Sequence, residues 1–200
     1  MNRRGNWTVA LGCLLISAGV VLAKVAVSDK ADSPRLVNPS FEDPGDATDR
    51  AASWGRWGQW INREEQWTPV RSGRCILGYH HWEIPDAKDS GVYQDVEHVV
   101  KGTKYTFGIY VNLDKARKPA QDALTVELRL ESIVGGQPQA VASKTYKVAD
   151  LIADQWQKLT VSGAPVTDTL RVLVIITPSP QDGTRGGAIR LDDAFLDPTN

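Results

Sequence analysis

The stretch that decides the fold class is YTFGIYVN, at residues 105–112. Apolar side chains occupy every second position, which is the period of a β-strand with one face in a core. On this pattern Phe107 and Ile109 face the core, whereas Tyr110 and Asn112 face the other side of the sheet. The chain is therefore expected to contain half-buried strands.

The same period recurs on both sides of this stretch. The sequence LTVELRL at 124–130 alternates in the same way and turns Arg129 away from the core, while 170–176 is almost continuously apolar, as in a strand covered on both faces. Further strands are predicted at 36–42, 74–80, 92–98, 141–148, 156–161 and 188–196, with a helical turn at 148–154 and an exposed loop at 44–53. The predicted core includes Phe41, Phe107, Ile109, Val111, Leu128, Leu130, Val172 and Val174. About nine strands with such spacing predict an all-β chain, a two-sheet β-sandwich with jelly-roll connectivity.

The composition is that of an ordinary globular chain, with 200 residues, 42% hydrophobic and 24% charged. A formal net charge of -1 leaves no excess of Lys and Arg to neutralise phosphates, so nucleic acid is excluded as the expected partner. A multi-pass membrane protein is also excluded, and one compact, monomeric domain is the simplest expectation.

The first 23 residues predict a secretory signal peptide. Arg3 and Arg4 precede an uncharged stretch, 7–23, that ends in VLA. Residues 24–33 then form a flexible lead-in, and the sandwich spans 34–198. An uncleaved anchor is the alternative, because the stretch approaches the roughly 20 residues that span a bilayer. The expected location is secreted, periplasmic or on the cell surface.

The two cysteines indicate that the fold is stabilised by its hydrophobic core and not by a disulfide. Cys13 leaves with the predicted signal peptide, so Cys75 remains alone in the exported chain. An intramolecular disulfide is therefore excluded in the mature protein.

Tryptophan crowding is the main functional signal. Five of the seven Trp residues lie within 54–82, at Trp54, Trp57, Trp60, Trp67 and Trp82. Flat indoles match the apolar face of a sugar ring, and this cluster is interleaved with the Arg, Asn, Gln and Glu residues that bind hydroxyl groups. Because Trp54, Trp57 and Trp60 recur every three residues, they cannot all face one side of a strand. Two or three of the five are therefore expected to face a ligand, and the others to pack in the core.

Strand alternation extends this prediction to a groove on an outer sheet face, walled by the 53–68 loop. The predicted ligand-binding residues are Trp57, Trp60, Arg63, Trp67, Trp82, Tyr110, Asn112 and Arg129. The expected partner is a polysaccharide or oligosaccharide.

A series of short motifs then carries a family resemblance. In order they are LVNPSFE at 36–42, VRSGR at 70–74, GVYQDV at 91–96, GTKYTF at 102–107, WQKL at 156–159 and IRLDDAFL at 189–196. In order and spacing, the chain resembles the galactose-binding-like jelly rolls of carbohydrate-binding module families 4, 9, 16 and 22. The resemblance implies non-catalytic carbohydrate binding. The segment 54–82 departs from the family pattern, so the resemblance does not identify the glycan.

The resemblance also implies a structural calcium ion where the first strand meets the last. The matching positions are Glu42 and Asp192, with Asp193 as a substitute and carbonyl groups near Asn38 and Gly73 as further ligands. Ca²⁺ takes six to eight oxygen ligands, which such a mixture can supply. The alternative is that these acids are solvated ends of edge strands.

Two other classes of function stay open. A polysaccharide lyase needs a base beside a group that neutralises a uronate, and its candidates are Arg56, Arg63, Tyr79, His81 and Tyr93. A glycoside hydrolase needs two carboxylates, with Glu64, Glu65, Glu83 and Asp86 as candidates. A structural or surface-interaction domain, with all five Trp in the core, is the third class. The adjacent His80 and His81 point to opposite faces of a strand, which argues against a zinc site.

Overall fold

The computed structural model describes residues 34–58, 60–80, 88–119, 124–178 and 187–199. The strands in these ranges are β1 (Gly55–Trp57), β2 (Ile61–Glu65), β3 (Cys75–His80), β4 (Ser90–Val96), β5 (Tyr105–Leu113), β6 (Leu124–Val134), β7 (Gln137–Lys147), β8 (Gln157–Gly163), β9 (Leu170–Pro178) and β10 (Ala188–Pro198). A 3₁₀ turn at Val148–Asp150 falls within the predicted helical turn. The predicted signal peptide and lead-in, and the residues His81, Trp82, Glu83 and Asp86, lie outside the described residues.

The strands form two antiparallel five-stranded sheets. The first sheet has the order β1-β4-β9-β6-β7 and the second has the order β2-β3-β10-β5-β8. This confirms the predicted all-β sandwich with jelly-roll connectivity. In the described part of the chain, no helix is long and apolar enough to cross a membrane.

The core lies between the two sheets, where every second residue of the central strands points inward. All eight predicted core residues are 0% exposed: Phe41, Phe107, Ile109, Val111, Leu128, Leu130, Val172 and Val174. They belong to one continuous cluster that both sheets share. The period of two along the sequence therefore identified the inward faces correctly.

The predicted strand at 36–42 is wrong. Asn38 and Phe41 have φ values of 51° and 59°, a left-handed conformation that interrupts any strand. The Asn38 side-chain amide donates to the carbonyl groups of Asp43 and Ala52, so it turns the chain here. In place of a ladder, the side chain of Gln94 accepts from the Val37 N–H (2.7 Å) and donates to its carbonyl oxygen (2.9 Å).

The predicted 53–68 loop is also corrected, because it contains β1 and β2. These short strands lie at the edges of different sheets, β1 against β4 and β2 against β3. The chain thus crosses from one sheet to the other inside the Trp cluster, which separates the indoles in space.

Candidate functional site

Two aromatic rings lie on the outer side of the first sheet. In the β1–β4 register Trp57 is opposite Gly91, and Gly55 is opposite Tyr93. A Cβ atom on Gly91 would overlap the Trp57 indole, and one on Gly55 would overlap the Tyr93 ring. Each ring therefore occupies the space above a glycine on the neighbouring strand. The two ring centroids are 6.4 Å apart at 41°, and both side chains are half-buried.

Ion pairs continue this surface across the sheet. Arg171 binds Asp95 through two hydrogen bonds, of 2.6 and 2.9 Å, and its guanidinium carbon lies 4.4 Å from the Tyr93 ring centroid. On β6, Arg129 donates to both carboxylate oxygens of Glu127, at 2.7 and 3.1 Å. A longer contact of 3.5 Å joins Arg129 to Glu131.

Hydrogen bonding raises the pKa of both guanidinium groups. For Arg129 the bond to Glu127 is the largest cause, and for Arg171 the bond to Asp95 is. Both arginines therefore stay charged, and each is held in a fixed orientation by a carboxylate.

We call this surface the Trp57 face. It consists of Trp57, Tyr93, Asp95, Glu127, Arg129, Glu131 and Arg171. Three inter-strand steps separate β1 from β6, so Trp57 stands about 14 Å from Glu127, which is in the same row of the sheet. Arg129 lies two residues further along β6. Leu173 and Ile175 of β9 lie between β1 and β6, in register with Tyr93 and Gly91. The sequence singled out Trp57 and Arg129, and it missed the other charged residues.

The remaining predicted ligand residues lie elsewhere. Tyr110 and Asn112 face outward as expected, but β5 belongs to the second sheet, whose outer face is on the opposite side of the sandwich. Trp67 lies on that side too, over Gly78 of β3. One ring face of Tyr110 is covered by Arg71, whose guanidinium carbon is 3.5 Å from the ring centroid. The single predicted groove is thus divided between two opposite faces.

Three more members of the predicted site or the Trp cluster are buried or pack against the core. Arg63 is 7% exposed, and its guanidinium donates to the Phe41 and Glu42 carbonyl groups at 2.8 and 2.7 Å. Trp60 is half-buried and packs against the core. Trp54 is buried against Phe41, with ring centroids 5.3 Å apart.

The two predicted calcium ligands accept hydrogen bonds from the backbone of one segment, residues 71–75. Glu42 accepts hydrogen bonds from the backbone N–H groups of Arg74 and Cys75, at 3.0 Å each. Asp192 accepts from the backbone N–H groups of Arg71 (2.9 Å) and Ser72 (3.1 Å). We call this arrangement the 71–75 latch. It ties the residues after β2 to the first loop and to β10.

The latch carboxylates are occupied by protein donors. Asp192 is fully buried, and burial raises its pKa to about 6, although three backbone N–H groups act in the opposite direction. Asp193 is also partly buried, but hydrogen bonds from Ser72, Ser40 and Arg71 outweigh that effect and lower its pKa. Among the described residues, no three His, Cys, Asp or Glu side chains are grouped to hold a metal ion. Glu42 and Asp192 both accept backbone hydrogen bonds from the 71–75 segment, and the calcium site stays a prediction.

The candidate catalytic residues do not converge among the described residues. Tyr79 faces the core and is 0% exposed, and burial raises its pKa well above the usual range. Tyr93 lies on the outer side of the other sheet. Glu64 and Glu65 are consecutive on β2 and therefore point to opposite sides.

The comparisons with known proteins agree with the fold. A scan of family models and a search of curated proteins found no match. Among solved structures, TmCBM61 in complex with β-1,4-galactotriose is 15% identical, covering 83% of this chain and 99% of that one, with a TM-score of 0.56. The CBM22-1 xylan-binding domain from Paenibacillus barcinonensis Xyn10C is 17% identical, covering 80% and 90%, with a TM-score of 0.50.

A cyclase from Fischerella sp. TAU is equally similar. It is 15% identical, covering 85% of this chain and 100% of that one, with a TM-score of 0.56. These likenesses show a jelly-roll fold shared with carbohydrate-binding modules. Because the same fold also serves a cyclase, function has to be argued from the site.

Proposed function

We propose that the protein binds a polysaccharide chain on the Trp57 face without transforming it. The observation that carries this proposal is the pair of half-exposed rings, Trp57 on Gly91 and Tyr93 on Gly55. Trp57 is backed by Gly91 on one side and is half-exposed, so its other side can stack against the C–H face of a sugar. The Arg171 guanidinium lies over the Tyr93 ring, so Tyr93 borders this stacking surface.

Polar groups beside the rings support a polyhydroxylated ligand. Carboxylate oxygens of Asp95 and Glu127 can accept hydrogen bonds from sugar hydroxyl groups, and the guanidinium groups can donate to them. Two structural neighbours add support, since one is in complex with β-1,4-galactotriose and the other is described as xylan-binding.

The charges of the Trp57 face favour a neutral glycan. Its two guanidinium groups, on Arg129 and Arg171, are both paired with carboxylates. Three carboxylates, on Asp95, Glu127 and Glu131, leave the surface with an excess of one negative charge. A polyuronate would therefore meet repulsion here, whereas a neutral chain would not.

Two parts of the proposal rest on the sequence. We place the protein outside the cytoplasm after loss of residues 1–23, and we assign a structural calcium ion to Glu42 and Asp192. Neither part is needed for binding on the Trp57 face.

The test is a glycan array followed by titration calorimetry on the best neutral ligand. Trp57→Ala should weaken binding by about thirtyfold or more, because aromatic anchors dominate such surfaces. Phe195→Ala is the matched control, since Phe195 also packs over a glycine, Gly108, but on the second sheet. Equal affinities for wild type and Trp57→Ala, or no glycan bound at all, would overturn the proposal.

The lyase and hydrolase alternatives are tested on the same ligand. Incubation with the purified protein should release neither new reducing ends nor unsaturated products. Release of either product would show catalysis and would replace the non-catalytic proposal.

A further inference from the structure

A second cluster of functional groups lies on the opposite side of the sandwich. Glu64, Trp67, His80 and Arg117 line a cavity of about 320 Å³ on the outer side of the second sheet. We call it the Trp67 pocket. None of these residues belongs to the Trp57 face, so this site is independent of the proposed function.

Trp67 packs against three residues of the second sheet. It follows β2 and lies on Gly78, where an added Cβ atom would come within 2.5 Å of the indole. The His80 ring meets it edge-on, with ring centroids 5.9 Å apart at 87°. On the β10 side, the Arg190 guanidinium carbon is 4.6 Å from the indole centroid. The half-buried indole is therefore held in one orientation at the wall of the pocket.

Buried polar groups lie in the same row of the sheet. Gly78, Arg190 and Asn112 are neighbours across β3, β10 and β5. Arg190 donates to Asn112 Oδ1 (3.1 Å) and to Asp114 Oδ2 (2.5 Å). Asn112 and Arg190 are 0% and 4% exposed, yet Asn112 Nδ2 and Arg190 Nε have no hydrogen-bond partner within the described ranges.

Such a polar row next to a pocket indicates a binding function. A buried donor without a partner destabilises the fold, so its presence calls for an explanation beyond fold stability. The Arg190–Asp114 pair holds the start of the 114–119 loop, because Asp114 also accepts from the Arg117 backbone N–H at 2.9 Å. This loop carries Arg117 to the pocket.

The lining selects against simple ions. Glu64 places a carboxylate in the wall, with Oε1 2.8 Å from Nε2 of His80, and it repels anions. Arg117 places a positive charge in the lining and repels cations. A neutral ligand rich in hydroxyl groups can bind both the carboxylate and the guanidinium, since each hydroxyl group both donates and accepts hydrogen bonds.

We propose that the Trp67 pocket binds one neutral sugar residue, either free or at the end of a glycan chain. The indole supplies the stacking face, Glu64 accepts hydroxyl protons, and Arg117 donates to ring or hydroxyl oxygens. The volume is at the lower end of the range for small-molecule sites, which suits a single residue rather than a chain. The protein would then hold two saccharides on opposite faces.

The test follows indole N–H resonances in ¹H–¹⁵N NMR spectra, assigned from Trp57→Phe and Trp67→Phe variants. The probes are D-galactose, D-xylose, L-arabinose and D-glucose, with D-glucuronate and D-glucosamine as charged comparators. At least one neutral sugar should shift the Trp67 resonance saturably and leave the Trp57 resonance unchanged. No saturable shift with any neutral sugar, or a stronger response to a charged comparator, would overturn the proposal.

Matched variants separate the pocket from the fold. Glu64→Gln should weaken the Trp67 response at least tenfold, whereas Glu65→Gln, the next residue on β2, should leave it unchanged. Equal responses in both variants would also overturn the proposal. Failure here leaves the Trp57 face untouched, because that site is read from the Trp57 resonance and from calorimetry with the neutral glycan.

Discussion

The Trp57 indole lies on the backbone of Gly91, its partner in the β1–β4 register, and fills the space that a side chain would occupy. Three other rings are seated in the same way: Tyr93 on Gly55, Trp67 on Gly78 and Phe195 on Gly108. A glycine in a strand thus lies beneath each of these four rings. Two of these pairs form the Trp57 face, and one forms the wall of the Trp67 pocket.

The first prediction concerns Gly91→Ala. The new methyl group would overlap the indole, so Trp57 must lift from the sheet although every binding residue is still present. We expect the affinity for the neutral glycan to fall at least tenfold, as measured by titration calorimetry. Gly108→Ala displaces Phe195 on the other sheet and also crowds the Leu159 carbonyl oxygen, so it is the control for added strain once it is shown to be folded. Unchanged affinity in Gly91→Ala would show that the seating of the ring does not matter.

The second prediction concerns the core. Leu128 is 0% exposed on β6, so Leu128→Ala removes buried methyl groups and leaves a cavity. The free energy of unfolding should fall by about 2–5 kcal/mol in urea titrations. Thr125→Ala, on the same strand but facing outward, should change it by about 0.5 kcal/mol or less. A loss under about 1 kcal/mol for Leu128→Ala would contradict the assignment of this position to the shared core.

Alternation predicted the faces of the strands but not the sheet to which each strand belongs. Tyr110 and Arg129 both point outward as the sequence indicates, yet β5 and β6 lie in different sheets. A period of two fixes only in and out, because sheet order is set by long-range pairing. The predicted groove joined two surfaces for this reason.

The Trp cluster shows a second limit of the sequence. Trp54 and Trp57 are three residues apart, and one is buried against Phe41 while the other lies on the outer face. Spacing alone cannot tell the buried Trp from the outward-facing one, because the short strand β1 begins between Trp54 and Trp57. The isolated glycines at 55 and 91 were the available signal, since glycine inside a strand indicates a close approach.

The third prediction concerns Cys75. This thiol is buried beside Arg63, whose Nη2 lies 2.9 Å from Sγ. Burial raises its pKa, despite the opposing effect of Arg63. Since the thiolate is the reactive form, native protein at pH 8 should react with an aromatic disulfide reagent far more slowly than protein in urea. Equally fast reaction in both conditions would contradict the buried position.

The last prediction uses Asp192 to test calcium, with chelator and Ca²⁺ compared across pH. Its folded pKa of about 6 exceeds the ordinary 3.8, so the folded state binds an extra proton between these values. Without metal, this group should lower the free energy of unfolding by about 2 kcal/mol as pH rises from 4 to 7. Calcium competes with that proton, so saturating Ca²⁺ should reverse the fall and raise Tm at pH 7. Asp192→Asn should abolish both effects.

An identical Tm with Ca²⁺ and with chelator would contradict the predicted calcium site. The hydrogen-bonded latch would then remain, because backbone N–H groups already donate to the Asp192 carboxylate.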